Sequence, residues 1–284
     1  MIINKFVLGT AQFGMPYGLT KRQIPLGEIK KILDYSKRVG IRTLDTAPSY
    51  NNSLKKLGHL NMNEWKIISK IPSIPKNIKN KKKWVEQVFF DTLKKLNISK
   101  IDTILLHDEE DILNKKYGEE IFKILDNLKS NKLVKNIGSS IYNSQKIKDV
   151  INRYNFDIIQ APYNIFDKRI ISTGLYSLLN KRNIKLDLRS IFLQGLLLRQ
   201  KNYPKKFKNN KYLNQFNNWL SLKKHNNINV CLSMTSKIKF HRLVIGFHSL
   251  SQLKEIVKYS SSKIISIPDF DINNKNLLID PRKW

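Results

Sequence analysis

Four residues in the N-terminal half of the chain are of types that together can move a proton onto an oxygen: Asp45, Tyr50, Lys70 and His107. A phenol is a poor acid at neutral pH, with an unperturbed pKa of about 10. A neighbouring ammonium favours the phenolate and lowers that value. Lys70 would then need a counter-charge, and Asp45 can supply it. His107 offers a hydrogen-bond donor beside the phenol, able to orient or polarise a carbonyl oxygen. Such a set gives a proton to an oxyanion as it forms. It contains no nucleophile, metal-ligand set or electron donor. Proton delivery to a carbonyl is half of a reduction, and the hydride has to come from a cofactor. Each residue also has a plain structural reading. Asp45 can be a turn former ahead of Pro48, Lys70 one of 42 lysines, and His107 a capped loop residue. Placement decides between the two readings.

The elements that would place them alternate along the chain. KFVLGT (5–10), IRTLD (41–45), WKIISK (65–70), IDTILLH (101–107) and LVKNIGSS (133–140) read as strands, as do FDIIQAPYN (156–164), IKLDLRSIF (184–192) and HRLVIGF (241–247). Between them, 28–40 has apolar residues at 29, 32, 33 and 39 and Gly40 as a stop, the pattern of a helix. Segments 53–60, 84–96, 119–131, 143–154 (opened by an Asn cap), 169–182 and 249–260 also read as helical. Eight strand-then-helix units without a linker or composition break predict one (β/α)8 barrel domain over residues 1–284. The competing doubly wound sheet lacks its GxGxxG turn, since the first strand ends GTAQFG. In such a barrel the chemistry sits at the C-terminal ends of the strands. Asp45, Lys70 and His107 end strands two, three and four, and Tyr50 lies in the loop after strand two. All four should converge on one pocket.

Composition narrows the function further. The chain has 284 residues and one cysteine, Cys231, which excludes an internal disulfide and a Cys-based metal cluster. Cys231 reads as small core filler in a helix. No apolar run reaches the ~18 residues of a membrane helix, and the N-terminus lacks the pattern of a secretory signal. A cytoplasmic protein is expected. The net charge of +30 invites a polyanion-binding reading. Of the 52 basic residues only 10 are Arg, the residue that base-edge and phosphate recognition favour. Runs such as Lys81-Lys82-Lys83 and KKFKNNK (205–211) read as solvated faces and loops. Weak polyanion adhesion is expected, without specific nucleic-acid recognition. HDEED (107–111) reads as a solvated acidic loop, so no metal site is expected. His59, His225 and His241 read as surface or capping residues.

From end to end the sequence resembles the aldo-keto reductase family. The matching pieces are LGTAQFG (8–14), GIRTLDTAPSYNNS (40–53), IISK (67–70), IDTILLHDEED (101–111), IGSSIY (137–142), IIQAPYN (158–164), RSIFLQGLLL (189–198) and VIGFHSLSQL (244–253). The family's catalytic Asp, Tyr, Lys and His fall on Asp45, Tyr50, Lys70 and His107. The resemblance implies reduction of an aldehyde or ketone with NADPH, or alternatively NADH, without a metal, and with Tyr50 as proton donor. It places Gly9, Thr10 and Asp45 beside the cofactor, and Ser140 and Gln160 on the nicotinamide carboxamide. Ile141 stands where many members have Asn. Arg189 stands where many stack a Tyr on the nicotinamide, with Phe192 close enough to compete; Ser190, Gly195 and Gly246 complete that wall. His248 and Ser249 are the candidates for a 2′-phosphate, and uncharged Gln252 replaces an Arg, so NADH should compete better than usual. Loops 13–18 and 199–215 would line the substrate pocket, and LLIDPRKW (277–284) would be an ordered tail packed through Trp284. The form of 189–198 and of the tail is similar to bacterial members tied to surface-sugar biosynthesis, which implies a sugar-derived carbonyl as one substrate class. A cofactor-binding regulatory protein on the same fold and a polyanion-binding module are the alternatives.

Overall fold

Strand segments that are apolar on both faces can only be satisfied inside a layered structure, because each face must be covered. The computed structural model, which describes residues 2–200, 202–270, 272 and 277–284, resolves that demand by closing the sheet on itself. Its strands are β1 (Phe6–Gly9), β2 (Thr43–Asp45), β3 (Lys66–Ile71), β4 (Ile101–Leu106), β5 (Val134–Ser140), β6 (Ile158–Pro162), β7 (Lys185–Arg189) and β8 (Arg242–Ile245). Each pairs in parallel with the next, and β8 closes on β1. This is the (β/α)8 barrel expected from the strand–helix alternation.

The helices are α1 (Ala11–Gly14), α2 (Leu26–Arg38), α3 (Ser53–Gly58), α4 (Lys81–Leu96), α5 (Glu110–Leu113), α6 (Gly118–Ser130), α7 (Ile147–Arg153), α8 (Arg169–Ser172), α9 (Leu175–Lys181), α10 (Lys211–Lys223), α11 (Asn227–Met234) and α12 (Leu250–Tyr259). In α2 the buried set Ile29, Ile32, Leu33 and Ser36 follows the helical repeat. Asn side chains cap three starts: Asn80 accepts from Lys83 N, Asn210 from Tyr212 and Leu213 N, and Asn226 from Ile228 and Asn229 N. The lysine run at 81–83 is thus the first turn of α4, with Lys82 and Lys83 on its solvated face. The expected segment 169–182 splits into α8 and α9 at Gly174, whose φ is +74°. The segment 199–215 is only partly loop, since α10 begins at Lys211, and KKFKNNK is pinned by buried Phe207. Cys231 is buried in α11, as read.

Strand β7 stops at Arg189, three residues short of the expected end. Ser190, Leu193 and Gln194 carry φ of +61°, +48° and +54°, and Gly195 +90°, a left-handed succession that no strand continues through. Inside the barrel, Val7, Ile68, Leu105 and Ile158 form their own cluster with Val244. At the bottom, buried Arg242 donates to Asp187 (2.9 Å), Asp102 (2.9 Å) and Thr103 (3.0 Å), and His241 Nδ1 lies 3.0 Å from Asp187. The barrel is therefore packed through its middle and plugged below. At the upper end, where Asp45 and Lys70 emerge, a cavity opens.

Candidate active site

Closure of the sheet sets Gly9 opposite Asp45 and Ser140 opposite Gln160 at the C-terminal rim. Asp45 is held by its backbone, whose carbonyl accepts from Thr10 N at 2.9 Å and Thr10 Oγ1 at 3.0 Å. One carboxylate oxygen pairs with Lys70 Nζ; the other accepts from Gln160 Nε2 at 2.8 Å. Asp45 and Lys70 are each only 2% exposed. Lys70 Nζ also donates to Thr46 O at 3.4 Å and to Tyr50 Oη at 3.3 Å. All three ammonium protons thus have acceptors, which is what an ion pair needs when withdrawn from water. His107 follows β4, its N–H donating to Ile71 O at 2.9 Å, and its ring meets Tyr50 edge-on at 5.9 Å between centroids. Its Nδ1 lies 3.1 Å from Ser49 Oγ. The four residues singled out from the sequence stand together.

Their electrostatics correct one expectation. Burial, then the Asp45 carboxylate, push the Tyr50 phenol well above its ordinary value, with the Arg189 guanidinium pulling the other way. Lys70 does not bring the phenol towards neutral pH, because its charge is already matched by Asp45. Tyr50 therefore keeps its proton at neutral pH. His107 is driven down to about 3, by burial first and the Lys70 charge second, and is a neutral imidazole at physiological pH.

A cavity of about 440 Å³ opens above this group. Gly9, Thr10, Ser140 and Gln160 line its base. Arg189, Ser190, Phe192 and Gly195 line one side, brought round by the left-handed bend after β7, while Gly246, His248 and Gln252 line the other. Ser249 does not reach the cavity wall. It is the N-cap of α12, accepting from Gln252 N at 3.2 Å. Gln252 Oε1 accepts from His248 N at 2.9 Å, and Glu28 Oε1 accepts from Leu250 N at 3.0 Å while pairing with Arg22 at 2.6 Å. The amides of His248, Leu250 and Gln252 are therefore already engaged by three side chains of this chain, one of them the Glu28 carboxylate. Arg189 is not free on both faces: Tyr142 covers one, 4.0 Å from guanidinium carbon to ring centre.

The fit of a nicotinamide dinucleotide can be tested on two features. The Ser140 hydroxyl and the Gln160 amide oxygen, on adjacent strand ends, have no protein partner among the described residues, a donor and an acceptor suited to a carboxamide. A Cβ on Gly246 would meet nothing within 4 Å, so the backbone there borders open space. The residues present fit the group. A metal finds no such set: among the described residues no three His, Cys, Asp or Glu side chains converge.

Several wall residues carried no sequence signal. Ser49 is one of many serines until it is seen against His107. Tyr142, Pro281 and Arg282 come to the cavity from the loop after β5 and from the C-terminal tail. The tail packs as expected, Trp284 lying 5.0 Å from Phe207, but it also borders the cavity. The acidic stretch after His107 is not a solvated loop. Glu109 is buried and accepts from Tyr142 N at 3.0 Å and Asn143 N at 2.7 Å. Asp111 is buried and accepts from Ile74 N at 3.2 Å.

A closed (β/α)8 barrel with its ionisable cleft at the strand C-termini is the architecture of a barrel enzyme. The family model described as the aldo/keto reductase family matches residues 5–272, and the chain belongs to that family of carbonyl oxidoreductases. No curated protein sequence matches it. Similar solved structures include an aldo-keto reductase of Bacillus halodurans in its holo form, at 18% identity and TM-score 0.75, covering 92% of this chain and 88% of that one. The glycerol dehydrogenase of Gluconobacter oxydans is similar at 18% identity and TM-score 0.69, with the same coverages of 92% and 88%. At such identities the likeness concerns the fold. No helix among the described residues is long and apolar enough to cross a membrane.

Proposed function

We propose that this chain reduces the carbonyl of a small aldehyde or ketone, with Tyr50 as proton donor and a nicotinamide dinucleotide as reductant. The observation that carries the reading is the Asp45–Lys70–Tyr50 chain of contacts, which ends on a phenol facing the cavity. Bound NADPH or NADH would supply the hydride to the carbonyl carbon. The proton reaches the carbonyl oxygen from Tyr50 Oη. Lys70 Nζ, 3.3 Å away, then steadies the phenolate left behind, while the Asp45 carboxylate holds the ammonium in position. In the tautomer that accepts from Ser49 Oγ at Nδ1, His107 carries its proton on Nε2 and donates it to the same oxygen. Ser140 and Gln160 would hold the carboxamide, and Phe192 would flank the ring. NADH should be accepted beside NADPH, since Gln252 is uncharged and its side chain is already engaged by His248 N.

The test is loss of reduced-nucleotide absorbance with 4-nitrobenzaldehyde. Tyr50→Phe should lower turnover by the ~10²–10⁴ typical of lost acid catalysis while nucleotide affinity, read by tryptophan quenching, holds. Undiminished turnover in that variant would remove the phenol from the mechanism. A protein binding neither nucleotide at millimolar concentration would remove the oxidoreductase reading.

A further inference from the structure

Two guanidinium groups clasp one aromatic ring at the cavity wall. Arg189 Cζ lies 4.0 Å and Arg282 Cζ 3.7 Å from the centre of the Tyr142 ring. At such distances each sits over a face rather than at an edge. Two planar cations cannot share one face, so the ring is held between them. Arg189 comes from the end of β7, Tyr142 from the loop after β5 and Arg282 from the C-terminal tail. All three line the cavity that holds Tyr50 and His107.

The two arginines differ in what neutralises them. Arg282 donates from Nε and Nη2 to the two carboxylate oxygens of Asp280, both at 2.9 Å, and Asp280 is only 5% exposed. That pair is a fork-to-fork clamp with little net charge. Arg189 donates to two neutral oxygens, Ser190 Oγ at 3.1 Å and Ile141 O at 2.9 Å. Two of its five N–H donors are engaged, and among the described residues no carboxylate pairs with it. Its neighbour in the stack is fixed too, since buried Glu109 grips the backbone of Tyr142 and Asn143. Elsewhere in the wall Lys70 is matched by Asp45. The result is a rigid, uncompensated cation with spare donors at the reacting end of the cavity, where its charge reaches both Tyr50 and His107.

We propose that the carbonyl substrate carries an oxyanion group, a carboxylate or phosphate, that docks on Arg189, with Tyr142 and Arg282 as the residues that position the guanidinium. The proposal rests on the carbonyl-reductase reading for the word substrate, and its first test needs no turnover. Calorimetry compares benzoate and phenyl phosphate with neutral benzamide, with and without saturating NADPH. The anions should bind at least ~10-fold tighter than benzamide, as a charge-assisted contact gives, and Arg189→Gln should erase the difference. Equal affinity for benzoate, phenyl phosphate and benzamide, or an unchanged preference in Arg189→Gln, would overturn the proposal. So would a preference that vanishes when NADPH is added, because the guanidinium would then belong to the nucleotide phosphates.

The second test is kinetic. The kcat/KM ratio of 4-carboxybenzaldehyde to 4-nitrobenzaldehyde should drop ~10-fold or more in Arg189→Gln. In Arg282→Gln and Tyr142→Leu the KM for the charged aldehyde should rise with kcat little changed. Tyr142→Phe, which keeps the ring, should restore the wild-type ratio. A ratio that stays constant across Arg189→Gln, Arg282→Gln and Tyr142→Leu would overturn the proposal. Failure of the wild-type protein to turn over either aldehyde, with an Arg189-dependent anion preference intact, would overturn the reductase reading and still support an oxyanion site.

Discussion

At the scale of single residues, the site is tuned by burial more than by neighbouring charge. Tyr50 keeps its proton because burial, and then the nearby Asp45 carboxylate, disfavour its phenolate. The proton moves only once negative charge grows on an oxygen within reach, which makes the step general acid catalysis rather than prior ionisation. His107 illustrates the same rule with the opposite sign. Its imidazole is held at about 3 in the folded protein, against about 6.5 in an unfolded chain. Between those values the unfolded state binds the extra proton, so the contribution of His107 to stability is complete above about 6.5 and drains away as pH falls towards 3. Thermal unfolding of wild type and His107→Gln at pH 7.5 and pH 5 should show the wild type losing more of its Tm on acidification. Equal losses would mean that His107 titrates as in water.

At the scale of elements, the short helix α1 decides where the Tyr50 loop can lie. A Cβ on Gly14 would come within 1.8 Å of Tyr50 O and 2.3 Å of Ser53 N, both backbone atoms that cannot rotate aside. Gly14→Ala must therefore push the loop outward. The expected cost is that of overpacking, about 1–3 kcal/mol, seen as a lower urea midpoint. The fraction that still folds should turn over 4-nitrobenzaldehyde more slowly, because Tyr50 leaves Lys70. Full activity in Gly14→Ala would show that the loop tolerates displacement. The acidic stretch after β4 acts on its neighbours in the same way, with Glu109 tying down the β5 loop and Asp111 the β3 loop.

At the scale of the whole molecule, 52 basic residues face 22 acidic ones. So many like charges repel one another in the compact state, and salt weakens that repulsion because screening shortens to about 10 Å at 0.1 M. Raising sodium chloride from about 20 mM to about 300 mM should increase Tm by a few degrees. Over the same range heparin or DNA should be released, with no dependence on base sequence. A Tm that falls with salt would mean that the ion pairs outweigh the self-repulsion. Sequence-selective DNA binding at the higher salt would mean that the charge serves recognition.

What the sequence determined by itself was the order of elements and the four ionisable residues on the rim. Both are local properties: a strand or helix shows its period within a dozen residues, and the β-then-α order leaves one way to close the sheet, so the rim positions follow. Boundaries were less legible where backbone conformation changes without a change in hydropathy. The end of β7 was overrun because Ile191, Phe192 and Leu193 are as apolar as a strand while the backbone there turns left-handed. Only the tertiary structure decided the electrostatics and the walls. The direction of the Tyr50 shift depends on how much water is excluded and on which charge Lys70 already serves, and neither is written in the spacing of residues. Glu109 and Asp111 read as solvent-facing until the closed barrel is seen to bury them. Tyr142, Arg189 and Arg282 are far apart in the chain and carry no common pattern. They meet because closing the barrel brings the loops after β5 and β7 together on one rim and lays the tail across it, and contacts between distant segments leave no periodic trace in any one of them.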